Sequence, residues 1–387
     1  MAPLGPFPPA PRLAAGVSGG PHSLAVALLA RDWVAARGGT LVALIADHGL
    51  RTGSDAEAHD VAARLTALSI PARILPLGLS PGPALHERAR AARLSALLAA
   101  AAAEGAPWLL LGHHRADQAE TVAFRALRGS GPSGLAAMAP ARPAPEALIL
   151  RPLLDIPPAR LEALVAGLHP VRDPSNDDPR FARARLRRAL DDPEGTAPST
   201  AALADAAAAF AVRRDRLRTA VADRLAACST FHPEGWARLD RAALGEDDTA
   251  AVALAAILRS ISGAAHPPPR AAVAALLRRG GGTLAGVLWR DTLLCREPAA
   301  CAPSVPARPG VVWDGRWRVL SAPAGALIGA LESGSSIPLA FRQLPAAVLA
   351  TLPALRRDGL LLAVPPLDWP EPGLARLAFH PDSGAPA

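Results

Sequence analysis

Apolar runs of strand length recur through the first half of the chain, at 13–17 (LAAGV), 40–46 (TLVALIA), 72–77 (ARILPL), 107–112 (PWLLLG) and 147–151 (ALILR). Patterns of helical period fill 23–35, 54–69 and 84–104 between them, the second opening with a Ser54-x-x-Glu57 capping box. Apolar strands alternating with helices predict a parallel sheet covered on both faces, and so an α/β fold. In such sheets ligands gather outside the carboxyl ends of the strands. The residues that follow each strand are where chemistry is to be sought.

The alternation stops near residue 190. A turn-rich linker, DDPEGTAPST (191–200), leads into helical patterns at about 200–227, 250–261 and 270–279. Beyond the Pro-rich stretch CAPSVPARPG (301–310), VVWDGRWRVL has strand alternation around an Asp-Gly turn. Three parts are predicted: a parallel-sheet domain over 1–192, a mainly helical domain over 200–300 and a small C-terminal domain over 305–387.

Composition sharpens this picture. The 387 residues carry 41 basic against 34 acidic side chains, net +7, and every basic one is Arg because the chain has no Lys. That removes a P-loop lysine, a Schiff-base lysine and a lysine general base. Guanidinium groups bind phosphate in a fork, so an all-Arg surface suits phosphate-rich partners, although it serves equally as a solvated surface. The three cysteines, Cys228, Cys295 and Cys301, form no C-x-x-C pair, which suits a reducing compartment. The first twelve residues lack the pattern of a secretory signal, and no run of ~18 apolar residues is uninterrupted. A soluble, cytoplasmic protein with no membrane partner is expected.

The first strand runs into Ser18-Gly19-Gly20-Pro21-His22-Ser23 and then a helix. Such a loop presents backbone N–H groups to an anion with the helix dipole behind them, or is an ordinary tight turn. The second strand ends in Asp47-His48-Gly49-Leu50-Arg51. The fourth ends in Gly112-His113-His114-Arg115-Ala116-Asp117-Gln118-Ala119-Glu120-Thr121. If Asp117 begins a helix, Asp117 and Glu120 share a face. They can supply hard oxygen ligands for Mg²⁺, or stabilise a helix N-terminus. Imidazole ligation of zinc is not expected, since adjacent strand residues face opposite ways and no third His or Cys is near. Arg90 and Arg93 lie on one side of the third helix, as a phosphate clamp or a solvated face. A polar loop holding Asp173, Ser175 and Asn176 precedes a dense run of arginines, Arg180, Arg183, Arg185, Arg187 and Arg188. That density matches a nucleic-acid backbone and also a surface helix.

The SGG-x-x-S loop resembles the phosphate loop of the PP-loop ATP pyrophosphatases. Further pieces resemble one branch, the tRNA(Ile)-lysidine synthase family: DHGLR (47–51), ARAAR (89–93), HHRADQAET (113–121), RGSGPSGLAAM (128–138), RPLL (151–154) and DPSN (173–176). They occur in the family's order and spacing across roughly 12–190, with ILRSISG (257–263) and LLCRE (293–297) as looser matches. The resemblance implies a PP-loop ATP-binding catalytic domain over 1–192 and a tRNA-binding role for 200–300. It also implies ATP, Mg²⁺, L-lysine and an isoleucine tRNA with a CAU anticodon, and it leaves room for a homodimer. The implied reaction adenylates the wobble cytidine and then joins lysine to its C2, giving lysidine, AMP and pyrophosphate.

It further implies roles for individual residues. ATP binding falls to Ser18, Gly19, Gly20, Pro21, His22, Ser23, Asp47 and His48. Asp117 and Glu120 hold metal and, with Arg90 and Arg93 at the α-phosphate, form the catalytic set. Arg180, Arg183 and Arg187 bind tRNA, and Asp173, Ser175 and Asn176 form a loop near the active site. Two positions depart from the family pattern: His22 stands where the loop normally has Asp, and Ala116 replaces the first of two successive acids. These motivate an alternative, a catalytically impaired tRNA- or nucleotide-binding relative. A related tRNA thiolase is disfavoured, because no cysteine precedes residue 228.

Overall fold

The computed structural model describes residues 1–49, 53–80, 82, 85–171, 180, 182–332, 337–341 and 343–380. They fall into two compact units, Met1–Arg214 and Asp215–Ala387.

The first unit is built on a six-stranded sheet. Its elements in chain order are β1 (Arg12–Gly16), α1 (Pro21–Ala35), β2 (Thr40–Asp47), α2 (Ser54–Ala67), β3 (Ala72–Pro76), α3 (Leu85–Ala103) and β4 (Trp108–Leu111). There follow α4 (Arg115–Leu127), α5 (Pro132–Leu135), β5 (Ala141–Pro143), β6 (Leu148–Leu150), α6 (Pro158–Val165) and α7 (Ala182–Leu190). The strand order is β3-β2-β1-β4-β6-β5, parallel except for the edge strand β5.

The five apolar runs are the five parallel strands; β1, β2, β4 and β6 are largely buried and need no polar alternation, whereas β3, at the sheet edge, has no buried residue. Along β1, Leu13 and Ala15 pack with α1, α2 and α6, whereas Ala14 packs with Leu97, Leu98 and Ala101 of α3. Leu110 and Ile149 are fully buried, each contributing roughly 1.5–3 kcal/mol. β5 escapes the hydrophobic pattern because all three of its residues are exposed. The expected capping box of α2 does not form. Gly53 stands at the N-cap with φ +87°, and Ser54 is already the first helical residue, with no side-chain cap bond.

The chain passes from β1 through β2 to β3 on one side of the sheet. It then crosses to β4 on the other side of β1. The carboxyl ends of β1 and β4 therefore flank the point where strand order reverses, the crevice in which open α/β sheets bind ligands.

A 31-residue helix, α8 (Pro198–Cys228), runs across the boundary between the units. The second unit then has β7 (Ser229–His232), β8 (Trp236–Leu239), α9 (Arg241–Leu244), α10 (Asp248–Ser262), α11 (Arg270–Arg279), β9 (Gly282–Leu284), β10 (Val287–Arg290) and β11 (Leu293–Arg296). The helices stand where periodicity puts them, but they pack on a five-stranded sheet, β7-β8-β11-β10-β9, that the helical reading omits. These strands are only three or four residues long, too short for a period to emerge. Two further sheets occupy the C-terminal part. One contains the hairpin around Asp314-Gly315, both at positive φ as the turn requires. Among the described residues no helix is long and apolar enough to cross a membrane.

Candidate active site

The loop between β1 and α1 is shaped by its serines and by one glycine. Ser23 Oγ donates to the Gly20 carbonyl at 2.8 Å and accepts from the Ser18 backbone N–H at 3.1 Å. Gly20 is the N-cap of α1 and Pro21 starts its first turn, a position where proline's missing N–H costs nothing. The free N–H groups of that turn and the helix dipole face the strand ends. Of the two glycines, Gly19 is the one the fold requires. It has φ +80°, and a Cβ there would lie 2.6 Å from Val61, whereas a Cβ on Gly20 would meet only ordinary contacts. The Gly19 carbonyl accepts from Val171 N–H at 2.9 Å, which ties the approach to the 172–179 segment to the loop. Asp173, Ser175 and Asn176 lie outside the described residues.

Gly112, just past β4, permits a second close approach. A Cβ there would lie 2.5 Å from the His22 carbonyl. This contact brings the two strand ends together, and with them three histidines. The His22 and His114 rings meet edge to face, with centroids 4.0 Å apart. His22 Nε2 lies 3.5 Å from a Glu162 carboxylate oxygen on α6, and His114 Nε2 lies 3.4 Å from Asp117 Oδ2. Burial pushes His22, His113 and His114 each down to about 4, so all three are neutral imidazoles at pH 7. In His22 the neighbouring acids Asp117 and Glu162 only partly offset burial and the His114 interaction.

Asp117 and Glu120 begin α4 as the spacing predicts, yet they differ. Asp117 is partly exposed, and its Oδ2 accepts the His114 backbone N–H at 2.9 Å. Glu120 is buried and receives both prongs of Arg187, Nε to Oε1 at 2.7 Å and Nη2 to Oε2 at 3.1 Å. Burial raises the Glu120 carboxyl despite these bonds. Glu120, expected to hold metal, and Arg187, expected to bind tRNA, pair with one another. Arg187 reaches Glu120 while its own side chain stays 41% exposed, because a buried carboxylate demands a charged partner. Arg183 and Arg180 stand exposed, as the nucleic-acid reading expects.

Arg90 and Arg93 lie one turn apart on α3. Partial desolvation, then the nearby Arg183 and Arg93 charges, lower Arg90, while Asp117 raises it. Burial lowers Arg93. Asp47, at the end of β2, accepts the Gly49 N–H at 3.0 Å and turns the chain back over the sheet edge. His48 follows it at the same edge. The structure thus brings together the Ser18–Ser23 loop, Asp117, Arg90 and Arg93, while Glu120 and Arg187 satisfy one another.

Gln118 is a residue that sequence reasoning passes over. Its amide Nε2 donates to the Met138 carbonyl and its Oε1 accepts the Met138 N–H, both at 2.9 Å. Arg125 donates to the carbonyls of Gly134 and Ala137. Together they clamp the 128–138 loop onto α4. Arg151 is another, positioned just past β6 with Nη1 on the Ala139 carbonyl. Gln118 lies in the HHRADQAET motif and Arg151 in RPLL, which are the sequence signals that could have found them.

Residues 3–193 match the family model of the PP-loop domain. A tRNA(Ile)-lysidine synthase of Rhodopseudomonas palustris is 45% identical over 186 residues, covering 47% of this chain and 54% of its own. That of Methylobacterium sp. (strain 4-46) is 47% identical over 194 residues, 48% of this chain and 56% of its own. That of Novosphingobium aromaticivorans is 43% identical over 219 residues, 54% and 66%. The match thus spans between half and two-thirds of the length of these curated relatives. Among solved structures, the U34-tRNA thiolase NcsA of Methanococcus maripaludis is 19% identical with a TM-score of 0.42, covering 55% of this chain and 73% of that one. A PP-loop domain implies ATP binding.

Proposed function

We propose that this chain, whose residues 3–193 are a PP-loop domain, is a cytoplasmic ligase that joins L-lysine to C2 of the wobble cytidine in the CAU-anticodon isoleucine tRNA. The observation that carries the reading is the convergence of the serine-glycine loop, Asp117, Arg90 and Arg93 at the reversal point of the sheet. The named relatives supply the substrate class.

The Ser18–Ser23 loop and the first turn of α1 receive the β- and γ-phosphates, leaving the α-phosphate toward α3. Arg90 and Arg93 balance the charge that builds there as the cytidine C2 oxygen attacks and pyrophosphate leaves. The lysine ε-amine, having lost its proton, then attacks C2, and AMP departs. Asp117 would hold a Mg²⁺ ion, which supplies charge neutralisation at the triphosphate. Its partly exposed carboxylate, which among the described residues is bonded by no arginine, fits that role. Glu120 can join only if Arg187 releases it. The exposed arginines of the Arg180–Arg188 run would track the tRNA backbone.

The test is direct. The protein is incubated with ATP, labelled lysine and an isoleucine tRNA bearing the CAU anticodon. Label in the tRNA, absent when ATP is omitted or the anticodon altered, is the expected result. ATP and tRNA binding with no label incorporated would instead favour the impaired relative that His22 and Ala116 bring to mind. A thiolase finds no support: all three cysteines are free thiols raised by burial, and none lies in the PP-loop domain.

A further inference from the structure

Arg151 is the first residue past β6, and β6 pairs in parallel with β4, so its backbone sits at the same sheet edge as Gly112 and His113. Its N–H donates to the Pro140 carbonyl and its Nη1 to the Ala139 carbonyl at 2.8 Å. The Nη1 bond anchors one nitrogen of the guanidinium. Its Nε, in contrast, is buried and meets no hydrogen-bond acceptor among the described residues. The described charges that act on it are also positive. Burial, then Arg142 and Arg90, lower Arg151 to about 10. His113 sits among the same groups, feeling Arg151, Arg93 and Arg90 on one side and Asp117 on the other.

A buried guanidinium donor without an acceptor is costly, and gathering like charges around it costs more. Three other arginines of this unit meet acceptors of their own. Arg187 meets a carboxylate, Arg125 meets two carbonyls with one nitrogen, and Arg115 turns two nitrogens onto the Asp155 carbonyl. What Arg151 lacks among the described residues is an acceptor carrying negative charge. A phosphate oxygen is the complement, since it takes guanidinium donors in a fork and cancels the surrounding charge.

We infer that Arg151 is a phosphate-binding residue of this site, acting with Arg90 at the carboxyl edge of β4 and β6. The inference rests on the proposed function for the source of the phosphate, which is either the triphosphate of ATP or the backbone of the bound RNA. The chemistry is the same for both.

The full chain is tested as Arg151→Gln and Arg151→Lys against the wild type. Calorimetry follows ATP and inorganic pyrophosphate, and tRNA binding is followed across a salt series. If the phosphate is the nucleotide's, Arg151→Gln weakens ATP and pyrophosphate binding at least about tenfold and leaves tRNA affinity unchanged. If it is the RNA's, tRNA affinity falls, its salt slope drops by about one, and ATP is unaffected. In either case Arg151→Lys, which keeps the charge but not the fork, recovers only part of the affinity. The ligand-free melting temperature of Arg151→Gln should match or exceed the wild type, because an unmet donor and like-charge repulsion are both removed. Unchanged affinity for all three ligands overturns the inference. So does a lower ligand-free melting temperature with no ligand-selective loss, which would make Arg151 only a prop for Ala139. A wild type that binds pyrophosphate but shows no lysine transfer would refute the proposed function while leaving Arg151 to be judged on pyrophosphate alone. A wild type that binds none of the three refutes both.

Discussion

Two places in this molecule gather arginines around a carboxylate, and they resolve the charge in opposite ways. In the second unit Asp314 is 2% exposed. It accepts from Arg296 Nε and Nη2 at 3.0 and 2.9 Å, from Arg316 Nε and Nη2 at 2.9 and 2.6 Å, and from the Ala302 N–H at 3.0 Å. Burial lowers Arg316 while Asp314 works to keep it charged. In the first unit Arg90, Arg93 and Arg151 converge on a region where, among the described residues, the nearby acid Asp117 is engaged by His114 instead. The closed cluster has acceptors for its donors and belongs to the fold. The open one leaves the buried Arg151 Nε without an acceptor among the described residues, the place where we propose a phosphate binds. Arginine density is therefore uninformative by itself; the balance of acceptors separates structure from function.

The largest effect should come from breaking the closed cluster. Asp314→Ala leaves two buried guanidinium groups without their carboxylate, and loss of one partner of such a group costs about 3–5 kcal/mol. Urea unfolding should register that loss in the second unit. The folded fraction should bind ATP as before. An unchanged midpoint would mean that the cluster is dispensable and would erase the contrast.

Next comes the acid of the open site. Asp117→Asn keeps the bond to the His114 N–H, so stability should fall only by the helix-terminus term, about 0.3–1 kcal/mol. Adenylation should drop by at least about 10³-fold, equivalent to about 4 kcal/mol. Near-normal pyrophosphate release from a well-folded variant would reduce Asp117 to a helix-terminal acid and make the two clusters alike.

These two variants also mark how far the sequence could be read. The parallel sheet was legible because each strand is a continuous apolar run, and the loop after β1 because glycine and serine announce it. The choice between the glycines was not. Gly19 is constrained by Val61, a residue 42 positions on whose approach no local pattern encodes. Asp117 and Glu120 look equivalent at i, i+3, and only Arg187, 67 residues away, tells them apart. The β7–β11 sheet was missed because strands so short carry no period, and β5 because an exposed edge strand carries no apolar signal. Local chemistry is written locally, whereas pairing is written by topology.

The arginines of α7 sharpen the comparison within one helix. Arg187→Ala strands the buried Glu120 carboxylate and should cost about 1–3 kcal/mol of stability. Arg183→Ala touches an exposed side chain and should leave stability within about 0.5 kcal/mol. It should nevertheless lower the salt slope of tRNA binding by about one. Thermal melts and filter binding at several salt concentrations separate the two. Equal loss of tRNA affinity without loss of stability in both would return Arg187 to the RNA-facing set.

The smallest effect concerns His22, where an imidazole stands in place of the family's acid. Burial holds it neutral, and the ring packs on His114 with Glu162 at 3.5 Å. His22→Asp would set a carboxylate between Glu162 and Asp117, adding negative charge where the open site has little. Without metal the three acids repel, and stability should fall on the order of 1 kcal/mol. Millimolar Mg²⁺ should restore it, because an ion that binds only the folded state shifts the unfolding equilibrium in proportion to its saturation. Half-maximal Mg²⁺ for adenylation should move to a lower concentration, with turnover unchanged or higher. Those outcomes would mean that the open site tolerates fewer carboxylates because its arginines already carry charge balance at the phosphates. Complete loss of adenylation in a folded His22→Asp protein would mean the reverse. The neutral imidazole would then be a required donor or acceptor at the phosphates, and the open cluster would owe its function to uncharged groups as much as to its excess of arginine.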